Sequence, residues 1–480
     1  MNMEIIQQNI DKMQELDKKL VKNIIRRKNF SDATKEYSEE IIRITCNRIG
    51  KYLEAIDEAI YNSEGRSNQY NSDKKNISRT ITIPLGEIKF KRRRYQDKET
   101  KEYVFLLDRY LGIDLNEKST DAVKARILDE SIDTTYKKGG EKAAYNISYT
   151  KQTTKSIIDS LTPELIVAKN EDEKKEIEYL YIDADEAHVK VQKNNKVKQV
   201  LCKEIYVYEG KELEAPKSKR KRLINKWTFS GVYEKSIENS RLWEEVRKYI
   251  LDHYKVPKIK KIFLNADGGA WIREGMNMFP NMEFVLDEFH LKEYINRMTS
   301  HLKDSVDDAK EELYNILAHK EMDKLDIYID NLYNVTNNKR TINVISQCES
   351  FIKNNIDAIY RRLNHNGDPI LGCSAEAHIS HDLASRMTTI CRGWSVENAD
   401  RMARLRAYKI NGGNIYELIK ANHEWLKGNR DNIIKFTPNN DKLKYICTKD
   451  KVSTTVIGKY YDAMQATIDN EIRYKYKLNF

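Results

Sequence analysis

Apolar residues recur every three or four positions at Ile6, Ile10, Met13, Leu16 and Leu20, and again at Ile41, Ile42, Ile44, Ile49 and Leu53. That spacing predicts helices over residues 1–62, as a hairpin or a dimerisation arm. Residues 62–73 are polar and read as a linker, with order resuming at Ile81. From Thr80 to Tyr95 the chain alternates about Gly86 as two strands would, and 103–107 reads as a third, giving a small basic β segment over 77–115. Helical spacing returns over 116–168. Asn146-Ile147-Ser148-Tyr149 separates a short helix at 136–145 from another at 150–161, the pattern of a helix-turn-helix.

After a charged linker at 170–175, strand-like runs fall at 178–192, 198–208, 226–234, 260–266 and 282–287, with a helix near 239–254 before the fourth run. Three strands, a helix and two further strands is the order of a ribonuclease H-like core. Its first part is expected over 175–290 and its last helices over 371–425. Residues 291–370 carry only helical spacing and read as an insertion, and 426–480 form a basic tail. The fold expected is therefore α/β and multidomain, a ribonuclease H-like catalytic core with a helical insertion, preceded by helical and helix-turn-helix-like segments.

Length agrees, since 480 residues imply about three domains. A mean hydropathy of -0.73, no run near the roughly 20 apolar residues of a membrane span and no secretory leader lead to an expected cytoplasmic location. Six cysteines without a C-x-x-C pair argue against a disulfide framework or a zinc ribbon. The net charge of +10 favours a polyanionic partner. Its clusters are more informative: Lys89, Lys91, Arg92, Arg93 and Arg94 beside Phe90 and Tyr95; Lys151 and Lys155 in the second helix of the turn motif; and Lys219, Arg220, Lys221 and Arg222 between two strands. Each suits a DNA backbone, and each reads equally as a solvated surface.

Three acids stand where a reaction could be built. Asp185 lies in a strand, Asp267 follows a strand and precedes Gly268-Gly269, and Glu376 opens a helix. Carboxylates from two strands and a helix can converge to hold two Mg²⁺ or Mn²⁺ ions for phosphodiester chemistry. Singly, each is more simply a turn or surface acid.

The blocks Ile83-Pro84-Leu85-Gly86-Glu87-Ile88-Lys89-Phe90, Ala184-Asp185-Glu186-Ala187-His188-Val189, Asp267-Gly268-Gly269-Ala270-Trp271, Asp287-Glu288-Phe289-His290, Cys373-Ser374-Ala375-Glu376-Ala377-His378 and Gly393-Trp394-Ser395 follow one another in order. Together they resemble the ISLre-two family of bacterial insertion-sequence transposases, a DDE-type group related to mutator-like transposases. The resemblance implies an enzyme that cuts and joins double-stranded DNA at the ends of its own element, with Asp185, Asp267 and Glu376 as catalytic metal ligands. It implies a homodimer or larger assembly on DNA, associated with the nucleoid when bound. Asp183 competes for the first place and Glu397 for the last, while His290 could orient a phosphate or an end base. Cys373, His378 and His381 have the count of a zinc site, but phosphoryl transfer on hard cations fits the nearby acids better. Two rivals remain, a nuclease without strand transfer and a DNA-binding regulator.

Overall fold

In the computed structural model, which describes residues 3–168, 173–193, 196–390 and 393–428, the chain divides into two units: residues 1–131, 136–155 and 419–480, and residues 132–135 and 156–418. Nearly all of the expected basic tail and linker residues 170–172 lie outside the described residues.

In the first unit, helices α1 (Met3–Ile25) and α2 (Phe30–Tyr61) form the expected hairpin. The Asn29 side chain caps α2 by accepting from Asp32 N, and Tyr37 Oη donates to the buried Asp17 at 2.5 Å. Helix α3 (Glu64–Gln69) leads into β1 (Tyr70–Ile83), paired antiparallel with β2 (Gly86–Asp97) and then β3 (Tyr103–Val104). The stretch expected as a linker is therefore a helix and the first four residues of a strand. Its alternation was invisible because residues 71–76 are all exposed, and only Tyr70, 3% exposed, marks a buried side. The strand expected over 103–107 stops after two residues. Leu106, Leu107 and Asp108 are buried in succession, which suits the helix α4 (Leu106–Leu111) rather than a strand with alternating faces.

Helices α5 (Asp121–Asp133), α6 (Tyr136–Glu141) and α7 (Lys151–Asp159) follow. The helix expected to reach residue 145 ends at Glu141, where Tyr149 N donates to Gly140 O at 2.8 Å. A Cβ on Gly140 would lie 2.2 Å from Tyr149 O, so only glycine permits this approach. The connection spans residues 142–150, longer than the three or four residues of a tight helix-turn-helix.

The second unit is built on a mixed sheet with β4 (Tyr179–Lys193) at its centre. On one side β5 (Lys196–Tyr208) pairs antiparallel with β4. A small hairpin of β6 (Gly210–Leu213) and β7 (Lys221–Ile224) stands between β5 and β8 (Trp227–Val232) in the chain, and β8 pairs antiparallel with β5. Helix α8 (Ser236–His253) leads to β9 (Lys261–Ala266), which returns parallel to β4. The short α9 (Ala270–Arg273) then precedes β10 (Met282–Leu286), parallel to β9. The spatial order is β10-β9-β4-β5-β8.

One face of this sheet, with Leu180, Ile182, Ala184, Ile205, Val207, Ile262 and Leu264, packs on Leu242, Val246 and Ile250 of α8 and on Leu291 and Ile295 of α10 (Glu288–Thr299). The region expected as an insertion is helical, with α11 (Val306–His319), α12 (Met322–Asn334), α13 (Lys339–Asn354) and α14 (Ile356–Asn364), and it continues the same apolar core. The other face carries Tyr181, Tyr206, Tyr208, Phe263 and Val285, closed by Ile370. It is followed by α15 (Ala375–Ile379), a π-helix over Ser380–Ile390, α16 (Val396–Ile410) and α17 (Ile415–Gly428). The molecule is thus mixed α/β with a mixed sheet and many helices, and no described helix is long and apolar enough to cross a membrane.

Candidate active site

Alternation along β4 puts Tyr181, Asp183 and Asp185 on the aromatic face. Asp183 is fully buried and saturated. Tyr206 Oη (2.9 Å), Tyr208 Oη (3.0 Å), Asn265 Nδ2 (2.8 Å) and Ser374 N (2.9 Å) all donate to its carboxylate. Arg362, itself buried, orders the same layer by donating to Asn265 Oδ1, Leu286 O and Leu371 O. A carboxylate so enclosed has no access to a substrate; it fastens three chain segments.

Asp183 itself, Asn265 and Ser374 are each followed two residues later by an acid: Asp185, Asp267 and Glu376. Asp185 is half-buried and its Oδ1 accepts from Glu186 N at 2.7 Å. Burial pushes its carboxyl up to about 6, against that hydrogen bond, and the neighbouring charge of Asp267 pushes the same way. Asp267 leaves β9 into a turn where Gly269 N donates to its Oδ1 at 2.9 Å. Gly268 has φ +93, and a Cβ there would meet Asn355 Oδ1 at 2.9 Å, so glycine is required for the turn. Glu376 is exposed on α15, which packs on β4.

His290 completes the group. Its Nδ1 is 2.9 Å from Asp287 Oδ2, which fixes the ring at the start of α10 and leaves Nε2 for the site. That hydrogen bond raises the imidazole pKa, burial opposes it, and the charges of Asp287, Asp267 and Asp185 add to the rise. Burial pushes Asp287 up, but the hydrogen bond and charge of His290 outweigh it and hold the carboxyl low. His290 therefore stands near enough to Asp185 and Asp267 for their charges to act on its ring. The acids offer only carboxylate oxygens, the donor type that suits a hard divalent cation, but among the described residues Asp185, Asp267 and Glu376 do not bring one oxygen each within 4.8 Å of one another.

Glu397 lies elsewhere along β4. Gln192 N donates to Trp394 O at 2.7 Å, so the block bearing Glu397 joins the strand at Val191 and Gln192, six or seven residues beyond Asp185 and roughly 20 Å away at strand rise. Cys373, His378 and His381 do not converge on a metal-sized point among the described residues. Cys373 Sγ lies 3.9 Å from Asn265 O, and His378 stands edge-on to Tyr206.

The basic run of β2 divides by strand alternation. Lys89 and Lys91 are exposed. Arg92 is 4% exposed, its Nη2 3.2 Å from Asp108 Oδ2 and its guanidinium 3.9 Å from the Phe105 ring, so it is not available to phosphate. Arg93 pairs with Asp57 at 2.7 Å and with Glu58, and Arg94 pairs with Asp73 at 2.6 Å. Lys151 is exposed and Lys155 half-buried. Lys219, Arg220, Lys221 and Arg222 are exposed at the hairpin of β6 and β7, with Arg222 Nε 2.7 Å from Glu212.

Sequence reasoning missed Glu204, which lies directly opposite Asp185 on β5 and is wholly buried. It also missed Glu117, Asp121 and His423, whose ligand atoms lie within 4.8 Å of one another in the first unit. Lys124 already enters that group, paired with Glu117 and with Asp121 at 3.0 Å. The gap of 302 residues between Asp121 and His423 left no local signal.

A model of an uncharacterised protein family (UPF0236) matches residues 20–424. Three UPF0236 proteins of Caldanaerobacter subterraneus subsp. tengcongensis are each 29% identical to the chain over 426 residues, 89% of its length. The match covers 86%, 82% and 86% of these relatives, which go under four, two and eleven locus names respectively.

Proposed function

The chain belongs to the uncharacterised family UPF0236, and from that premise we propose that it is a DDE-type DNA transposase of the ISLre-two kind, binding the ends of an insertion sequence and catalysing metal-dependent DNA cleavage and strand transfer. The observation that carries this reading is the set of acids arranged about Asp183, with Asp185 on β4, Asp267 just past the end of the adjacent parallel β9, and Glu376 two residues beyond Ser374, whose N–H donates to Asp183. The core is read as ribonuclease H-like. Its support is the order β10-β9-β4-β5-β8, with the first three strands antiparallel and the next two parallel to the first. Relatives that go under up to eleven locus names in one bacterium are what a self-copying sequence leaves behind.

Asp185, Asp267 and Glu376 would hold two Mg²⁺ or Mn²⁺ ions. Such ions lower the pKa of an attacking water or 3′-hydroxyl and offset charge on the leaving oxygen. The residues supply the rest. Asp183 and its donors fix the spacing of the acids, so no reorganisation is needed as charge develops. His290, held through Nδ1 by Asp287, is proposed to turn Nε2 to the scissile phosphate. One site then serves hydrolysis at the element end and attack of the freed 3′-hydroxyl on target DNA. Lys89 and Lys91, with Lys219, Arg220 and Lys221, are proposed to meet the DNA backbone.

The test is cleavage and joining by the purified chain on duplexes carrying the ends that flank its gene, with Mg²⁺ or Mn²⁺, beside Asp267→Asn. Metal-dependent 3′-end cleavage and joining, lost in the variant without loss of end binding, is expected. Cleavage without joining would point to a nuclease, and binding that ignores metal in both proteins would sink the proposal in favour of a regulator.

A further inference from the structure

The segment that carries Glu376 is held by more cations than its length explains. Lys211 Nζ donates to Gly372 O and lies 3.3 Å from Ser374 Oγ. Lys226, just before β8, places Nζ 2.6 Å from Asp382 Oδ2 and 3.1 Å from His378 Nδ1, with its ammonium 5.3 Å from the Tyr206 ring centre. Arg406 of α16 donates to the carbonyls of His381 (2.9 Å) and Asp382, at the opening of the π-helix. Beneath them Glu204 is buried, with Asp382 beside it. Burial holds the Glu204 carboxyl far above its usual range, and the charge of Asp382 adds to this.

The Lys226 and Asp382 side chains are 15% and 14% exposed. An enclosed ion pair is costly to desolvate, and an apolar pair of the same volume is commonly as stable. What the ion pair supplies is a fixed distance. His378 and Asp382 are four residues apart, on one side of the turn that follows Glu376, so a single ammonium sets that turn against β8. A π-helix has a wider, less determined turn than an α-helix, and such turns concentrate at functional sites. Its first turn needs outside fastening, and Lys226 and Arg406 provide it.

We propose that Lys226 and Asp382 are positioning residues that hold Glu376 toward Asp185 and Asp267, and so decide whether the site takes two divalent cations or one. This rests on the reading of Glu376 as the third acid. The experiment is Mn²⁺ titration of the full chain followed by electron paramagnetic resonance, with thermal melts in parallel, on wild type, Glu376→Gln, Lys226→Met, Lys226→Arg and Asp382→Asn. Wild type is expected to take two ions. Glu376→Gln, Lys226→Met and Asp382→Asn should each weaken one ion at least tenfold, while Lys226→Arg, which keeps the charge, should hold both. If Glu376→Gln loses an ion and both Lys226→Met and Asp382→Asn keep two, whatever their melting temperatures, the positioning role is wrong. If Glu376→Gln itself keeps both, the third-acid reading fails and takes the positioning role with it. Should Lys226→Met not fold, the nearly isosteric Asp382→Asn decides.

Discussion

Asp185 has a folded-state pKa near 6 against an unfolded value of about 3.9, so the fold binds its proton more tightly than the unfolded chain does. The sign follows from linkage: stability is undiminished below about pH 4, falls as pH rises through the window to about 6, and stays reduced above it. Two pKa units correspond to about 3 kcal/mol. Asp185→Asn is therefore expected to be more stable than wild type by about 2 to 3 kcal/mol at pH 8 and by much less at pH 4.5. His290 shifts stability in the same direction, since its raised pKa gives a contribution that is full below about 6.5 and lost as pH rises through the folded value. Urea melts at the two pH values read the difference directly. Mn²⁺ at pH 8 should raise the midpoint of wild type and leave the variant unmoved; equal midpoints at both pH values would mean that Asp185 is not crowded. At this scale the strand contexts of the candidate acids Asp185 and Asp267 were legible, because each is visible locally. The choice between Asp183 and Asp185 was not readable with certainty, since both share one face of β4. Burial separates them: Asp183 is consumed by four donor residues that come from β5, β9 and the start of α15.

At the scale of elements, strand alternation explains what a run of basic letters could not. Lys89, Lys91 and Arg92 carry the same charge, yet period two sends Arg92 inward with Phe90 and the two lysines outward. The inward Arg92 meets Asp108 in a core, and burial holds the Asp108 carboxyl above its usual range despite that guanidinium. Removing one partner strands the other: Arg92→Ala is expected to cost about 3 to 5 kcal/mol, while Arg92→Met with Asp108→Leu should be neutral or stabilising by about 1 to 4 kcal/mol. Denaturant melts of the three proteins check it, and a double variant as damaged as the single one would show that the pair contributes more than its charge. The same logic governs β8, whose outer edge is closed by side chains of α16 and its C-cap. Asn411 exchanges two hydrogen bonds with Thr228 and Asp400 accepts from Val232 N, which blocks strand addition at an edge. None of these long-range partners is written in the local pattern. The five strands of the second unit's main sheet were readable to within about three residues because they are apolar and bounded by turns, whereas the polar β6 and β7 were read as a loop. The half-polar start of β1 and the close approach at Gly140 were not, because tertiary contacts decide them.

At the scale of the whole molecule, the proposal assigns the two units different tasks and predicts that substitutions will separate them. Lys89 and Lys91 project from the exposed side of the first unit's ribbon, opposite Thr80 and Ser78, and among the described residues the one carboxylate paired with their side chains is Glu87, 3.9 Å from Lys89. If each meets a phosphate, each releases about one counterion, and the logarithm of affinity should fall with the logarithm of salt by about 0.9 per contact. Lys89→Gln with Lys91→Gln is then expected to reduce that slope by about 2, to weaken end and scrambled duplexes alike, and to leave the rate on saturating DNA within about twofold. Asp267→Asn should do the reverse, keeping affinity and slope while abolishing cleavage. Fluorescence anisotropy across a KCl series, run beside single-turnover cleavage at saturating protein, measures both. An unchanged slope in the lysine variant would remove the ribbon from the DNA interface and leave the exposed loop at Lys219, Arg220 and Lys221 to carry it. A slope that falls together with the saturated rate would mean that the ribbon steers the reacting phosphate as well as gripping the duplex.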